Sequence, residues 1–366
     1  MIERVGEFRL IQKIEKDVLG RIDCAAWPGE DGLEEIGLLR WFPRDALAPD
    51  RWLSQGDARR LAAAGAINDD LLCSLRSGVA DGHAYDLYPY FSGGSLASLT
   101  RQATLHREGY PLEVALLIAG HLATGLSAAF RQEIDGQNLL HGFVTPYLVM
   151  ISEEGAIKLC GVETAPALRE LRGTAAKFAE ILPYLSPESR GGEDPHPADD
   201  VYSLGALLYE LLTLKRLASP SELRDESTAL PSELRYFLAR SVAPRFRRIQ
   251  SVVEWLRELK AMVVQEGWIA SAQDLSAFVA KVDDRVNPRR PDTSELTAAD
   301  REIFARAIRK ARAAAKAAPA EADPGEGQPR DDSSYQTTVI ARDVLKPLAE
   351  KGKLVRTANV KIVYDP

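Results

Sequence analysis

The chain has 366 residues, a formal net charge of -7, 45% hydrophobic residues and 27% charged residues. This balance excludes wholesale disorder and fibrous repeats, and it suits one large domain with an extension or two of medium size. The acidic sign argues against a general nucleic-acid binder, because neutralising phosphates requires a positive surface.

The opening "MIERVGEF" is charged from its third residue and has no apolar h-region, so no secretory signal is expected. Cys24, Cys73 and Cys160 lack CxxC spacing and nearby histidines, so neither a disulfide framework nor a zinc site is expected. A reducing cytoplasm is the expected home. From Phe8 to Phe42, "FRLIQKI", "RIDCAAW" and "EEIGLLRWF" read as strands of a small antiparallel sheet with short loops. "LSQGDARRLAAAGAI" reads as a helix, and Gly82 as a turn between the strands "LLCSLRSGVA" and "AYDLYPYF".

From Pro111 onward, helical periodicity dominates. "VALLIAGHLATGLSAAF" is apolar, but Gly120, His121 and Gly125 interrupt it and it is short for a membrane span, so a buried helix is expected. "DDVYSLGALLYELLTL", "PSELRYFLARSV" and "IQSVVEWLRELKAMV" continue the pattern. Further on, "DTSELTAADREIFARAIRKARAAAKAA" reads as a helix with Ser294 or Thr297 as N-cap and a solvated basic face. The Pro/Gly/acidic stretch "PAEADPGEGQPRDDSS" reads as a linker, and "YQTTVIARDVLKPLAEKGKLVRTANVKIVYDP" as short strands around a helical turn. The expected units are residues 1–265, a helical extension 266–316, a linker 317–334 and a β-containing tail 335–366.

This order, a small β-rich N-lobe followed by a large helical C-lobe, resembles the bacterial Ser/Thr protein kinases of the eukaryotic (Hanks) type from about Phe8 to Val264. The resemblance implies an α+β, two-lobed protein-kinase-like fold with a C-terminal extension. "EKDVLGRI" resembles the Gly-rich loop, with Glu15 and Asp17 at the first two glycine positions and Gly20 as the remnant. "IGLL" aligns with the strand motif VAIK, which puts Leu39 where the phosphate-binding lysine stands. The adjacent Arg40 points away unless the register slips by one. Asp57 takes the place of the glutamate that pairs with that lysine. "HGFVTPYL" resembles the catalytic loop HRDxxPxN, with His141 kept, Phe143 for the aspartate and Leu148 for the asparagine. "GVE" resembles DFG, with Gly161 at the magnesium-binding aspartate.

Framework motifs match better. "YLSPES" resembles the APE motif with Glu188, "DDVYSLG" carries Asp200 as a buried aspartate that caps the catalytic-loop backbone, and Arg247 in "APRFRRIQ" is aligned to pair with Glu188. His141 and Cys160 read as packed structural groups, and His83 and His196 as solvated turn residues.

The resemblance then implies a degenerate member: not an enzyme, with no cofactor and no metal, acting as a pseudokinase scaffold or allosteric regulator in bacterial signalling. Its expected partners are proteins, among them an active Ser/Thr kinase, its substrates or a forkhead-associated domain protein, with no nucleic acid and no membrane. "SSYQTTVIA" resembles a phosphothreonine-x-x-Ile site at Thr337 or Thr338, against the alternative of a threonine-rich strand edge. The alternatives to a scaffold are a kinase-like transferase using a displaced residue such as Arg40 or Lys158, and a remodelled cleft that binds a nucleotide or another ligand without turnover.

Overall fold

The computed structural model describes residues 4–29, 33–42, 68–134, 136–170, 179–224, 230–283 and 297–317. Asp57, Thr337 and Thr338, with the helix read around Asp57 and the linker and tail, lie outside the described residues.

The N-terminal lobe is an antiparallel sheet of β1 (Arg4–Val5), β2 (Phe8–Asp17), β3 (Gly20–Pro28), β4 (Glu34–Trp41), β5 (Arg76–Ala80) and β6 (His83–Pro89), ordered β1-β2-β3-β4-β6-β5. The β2–β3 turn is closed by Asp17, whose Oδ1 accepts from the Leu19 N–H at 2.8 Å. It also needs Gly20: φ is +134°, and a Cβ there would lie 1.8 Å from the Trp41 carbonyl oxygen. Alternation gives the sheet two different faces. Phe8, Leu10, Ala25, Trp27, Leu39, Trp41, Tyr85 and Leu87 form an aromatic-rich cluster on one. Ile22, Leu38 and Tyr88 face the C-terminal lobe on the other.

The second hairpin differs from its sequence reading at one end. Asp81 (φ 49°) and Gly82 (φ 76°) make the turn, but the strand before it begins at Arg76. Leu71 and Leu72 pair with the C-terminal lobe instead: the Leu72 N–H donates to the Leu159 carbonyl at 2.9 Å, and the Leu159 N–H to the Asp70 carbonyl at 2.7 Å.

The C-terminal lobe is built from α1 (Leu96–His106) and α2 (Leu112–Phe130), then α3 (Ala165–Glu170), α4 (Pro187–Arg190), α5 (Pro197–Thr213), α6 (Ser232–Ser241), α7 (Val252–Glu266) and α8 (Ala272–Asp283). A last helix, α9 (Ala298–Ala317), follows. A three-stranded sheet places β10 (Val149–Ser152) between β11 (Ile157–Leu159) and β7 (Gly93–Ser95), and β8 (Glu133–Ile134) pairs with β9 (Gln137–Asn138). The long apolar helix α2 is the core of this lobe, with Leu122 and Ala123 fully buried in one cluster with Leu207 of α5 and Trp255 of α7. His196 is not a solvated turn residue: it caps α5, its Nδ1 accepting from the Ala198 N–H at 3.1 Å. His83 meets the Phe42 carbonyl at 3.2 Å.

Candidate functional site between the lobes

Residues 139–148 form the loop between β9 and β10, and α5 fixes its backbone. Asp200 accepts from the Gly142 N–H at 2.7 Å and the His141 N–H at 3.3 Å. Burial pushes the Asp200 carboxyl up to about 7, while the Gly142 hydrogen bond pulls it back. His141 is buried, with Nδ1 accepting from the Phe143 N–H at 3.2 Å. The proton therefore sits on Nε2, which donates to the Cys160 carbonyl at 3.0 Å. Both ring nitrogens are thus committed to holding the loop against β11.

The side chains the loop presents are apolar. Phe143 and Leu148 are 1% exposed and share one cluster with Leu19 from the β2–β3 turn, Phe42 and Ala84 from the N-lobe, and Leu168, Ile181 and Leu185 from the segment after β11. Gly161 (φ +83°) lies directly under Leu148: a Cβ on it would be 3.3 Å from both Leu148 methyls. The two positions aligned with metal ligands therefore pack on each other.

A second cluster brings Ile22, Leu38 and Tyr88 of the sheet onto Met150 and Cys160 of the C-lobe. Beside it lies a buried cation, Arg40. Register pairs Arg40 with Ile22 and Asp86, which puts it on the cleft face, while Leu39 goes to the aromatic cluster on the other face. The alignment of Leu39 with the phosphate lysine is corrected accordingly: strand alternation brings Arg40 into the cleft.

Arg40 is 3% exposed, with Nη1 at 3.1 Å from Asp17 Oδ2 and Nη2 donating to the Tyr147 carbonyl at 2.8 Å. Burial alone would lower its pKa, but Asp17, with Tyr88 and Glu15 behind it, outweighs that and leaves it raised. Glu15 crosses between the lobes, taking the Ser95 hydroxyl at 2.7 Å and the Ser95 N–H at 3.2 Å at the start of α1. Glu163 accepts from the Ser74 N–H at 2.7 Å. Burial, with the Glu163 charge adding to it, pushes the neighbouring Asp86 carboxyl up to about 8, against hydrogen bonds from Ser77 and Tyr88. Lys158 is turned elsewhere, donating to the Asp69 carbonyl.

Below the cleft, Glu188 is paired with Arg248 at 2.8 Å and takes the Arg245 N–H at 3.0 Å. Burial raises its pKa, but the Arg248 hydrogen bond and charge together with backbone N–H donors outweigh that and lower it to about 2. The pairing aligned to Arg247 is corrected to Arg248. A 3-10 turn covers Arg245–Arg247, and Arg248 is extended (φ -73°, ψ 154°) and reaches inward. Arg247 stays exposed and lies over the Phe246 ring, 5.3 Å from its centroid.

Comparison with known proteins follows this geometry. The chain is 27% identical over 267 residues to the tyrosine-protein kinase MasK of Myxococcus xanthus, covering 66% of this chain and 41% of that one. It is 31% identical over 150 residues to the Ser/Thr kinase PknL of Mycobacterium tuberculosis, covering 40% of this chain and 35% of that one. A crystal structure of the M. tuberculosis PknI kinase domain superposes with a TM-score of 0.54 at 19% identity, covering 73% of this chain and 98% of that domain. No family model matches.

The chain is similar in sequence to bacterial Ser/Thr and tyrosine protein kinases. Its fold is that of protein kinase domains, α+β with a β-rich first lobe and a helical second. It spans about two fifths of the length of MasK and about a third of that of PknL. The expectation that it is not an enzyme is overturned here: these relatives are named as kinases, which points to an enzyme, and residues aligned at Phe143, Leu148 and Gly161 do not establish a loss of activity. Arg40 weakens that expectation further, because the cleft holds the cation that the Leu39 alignment had removed.

The sequence reading missed Leu19 as a plug between the lobes and the exchange of Leu39 for Arg40. A signal for the second was present: in "EIGLLRWF", Leu38 and Arg40 share a face, and so do Leu39 and Trp41.

Proposed function

We propose that this kinase-like domain serves bacterial signalling as a protein-binding, allosterically regulated unit whose cleft is filled by its own side chains in the form described. The observation that carries this is the buried cluster that gathers Leu19, Phe143 and Leu148 between the lobes, beside the hydrogen bond from Arg40 to the Tyr147 carbonyl. A domain in that form acts by presenting surfaces and by favouring one state of a partner, which requires differential affinity. Suitable partners are an active Ser/Thr kinase, its substrates, or a forkhead-associated domain protein that reads phosphorylated Thr337 or Thr338. A cytoplasmic setting suits all of them.

A second reading has its own support. The kinase names of the relatives and the buried cation Arg40 favour phosphoryl transfer from an opened form, with Arg40 facing the phosphates.

Thermal unfolding of the full chain with and without ATP and Mg²⁺ separates the two readings. A filled cleft gives no shift, whereas an ATP-dependent rise in Tm that Arg40→Met abolishes supports the second reading and sinks the first.

A further inference from the structure

Strand register lays one row of residues across the N-lobe sheet. Glu15 of β2 pairs with Ile22 of β3, Ile22 with Arg40 of β4, Arg40 with Asp86 of β6, and Asp86 with Ser77 of β5. Paired residues share a face, so these side chains stand together on the cleft side. Three of them meet the C-lobe directly. Ile22 lies in one buried cluster with Met150 and Cys160, and Arg40 donates to the Tyr147 carbonyl at 2.8 Å. Glu15 accepts from the Ser95 hydroxyl at 2.7 Å and from the Ser95 N–H at 3.2 Å.

The seat for Glu15 is part of the C-lobe frame. Ser95 is paired with Met150 in the sheet of β7 and β10, and it caps α1, its hydroxyl accepting from the Ser98 N–H at 3.0 Å. A carboxylate at that end of a helix is favoured by the helix dipole, and both of its hydrogen bonds are charge-assisted. Glu15 also stands two residues before Asp17, which closes the β2–β3 turn and pairs with Arg40. That turn delivers Leu19 into the cluster of Phe143 and Leu148. The Glu15–Ser95 contact is a side chain on a rigid seat, so it can part without breaking a strand pairing in either lobe.

We propose that Glu15 and Ser95 form an autoinhibitory latch: engaged, they hold the β2–β3 hairpin down with Leu19 in the cleft, and released, they let the hairpin lift from Met150 and Cys160. This rests on the reading of the cleft as filled by its own side chains, and it names the contact that keeps it so.

Cys160 reports the opening, being buried in the cluster of Ile22, the register partner of Glu15. Alkylation of the full chain by N-ethylmaleimide, followed at Cys160 by peptide mass spectrometry, measures its rate. Glu15→Gln keeps the size of the side chain but offers one acceptor oxygen, so one Ser95 donor faces an NH2 group instead. The variant should accelerate Cys160 roughly tenfold or more, and by a larger factor than its global unfolding constant rises in urea denaturation. An unchanged rate, or an acceleration that only matches the rise in global unfolding, would overturn the latch.

If Glu15→Gln does not fold, the unaltered chain decides. A latch requires Cys160 alkylation in low urea to depend on urea less steeply than global unfolding does, because lifting one hairpin exposes less surface. Equal slopes would rule it out. Neither measurement uses a nucleotide or a partner. A rise in Tm of the unaltered chain with ATP would sink the functional reading and leave the latch standing, and a Cys160 rate indifferent to Glu15 would do the reverse.

Discussion

The base of the C-lobe and the cleft above it handle buried polar groups in opposite ways. At the base, Asp200 holds two backbone N–H groups and Glu188 holds Arg248, so each charge is matched to a nearby donor and serves to fix chain geometry. In the cleft, Phe143, Leu148 and Gly161 have no charge to match, and one guanidinium, Arg40, ties together the loop carboxylate Asp17 and the opposing lobe. A fold can keep the first arrangement while the second varies, because the base determines where the loop runs and the cleft determines what the loop presents.

The strongest way to break this contrast is to put the charge back. Phe143→Asp would place an unpaired carboxylate in the inter-lobe cluster and should cost more than about 4 kcal/mol in urea unfolding. A near-neutral result would mean the cluster is open to water. Arg40→Met leaves Asp17 buried without its cation and should cost about 3–5 kcal/mol, whereas Leu39→Met on the other face should cost less than about 1.5 kcal/mol. Equal losses would restore Leu39 to the cleft.

At the base, Arg248→Met should cost about 2–3 kcal/mol, moderated because Glu188 keeps the Arg245 N–H. Arg247→Met, on an exposed residue, should stay within about 0.5 kcal/mol. Chemical denaturation of the two variants side by side tests the corrected pairing.

A pH slope tests the buried acids on both sides of the contrast. Asp86 has a folded pKa of about 8, above its unfolded value, so between about pH 4 and pH 8 the folded state binds more protons and stability falls as pH rises. Asp200, raised to about 7, acts with the same sign. Glu188, lowered to about 2, acts with the opposite sign and loses its contribution only as the pH falls below about 4. Melting curves at pH 5.5 and 8 should therefore show a loss of Tm on the alkaline side that Asp86→Asn reduces (pH values on the order of the two raised pKa values). An unchanged slope in Asp86→Asn would mean Asp86 is ionised and well solvated.

The lobes were legible in advance because their signals are local. Alternation marks β2, β3 and β4, the Asp81–Gly82 pair marks a hairpin, and "DDVYSLGALLYELL" carries a long buried stripe. Asp200 sits beside that stripe, so its role could be read together with the helix. Misreadings arose where one residue of slip changes everything. Leu39 and Arg40 are neighbours on opposite faces of a strand, and Arg247 and Arg248 are neighbours at the end of a 3-10 turn. Spacing alone names both members of such a pair and leaves the choice to the register.

The sequence by itself determined the succession of a sheet lobe and a helical lobe, the buried character of α2, and the identities Phe143, Leu148 and Gly161 at the loop positions, since hydrophobic periodicity and residue type are properties of short windows. The tertiary structure decided that Leu19 joins the cluster of Phe143 and Leu148, that Arg40 faces inward to Asp17 and Tyr147, and that α9 returns to cover Cys24. Those contacts join residues far apart in the chain, and their partners are fixed by strand register and by how the lobes close, neither of which a local pattern encodes.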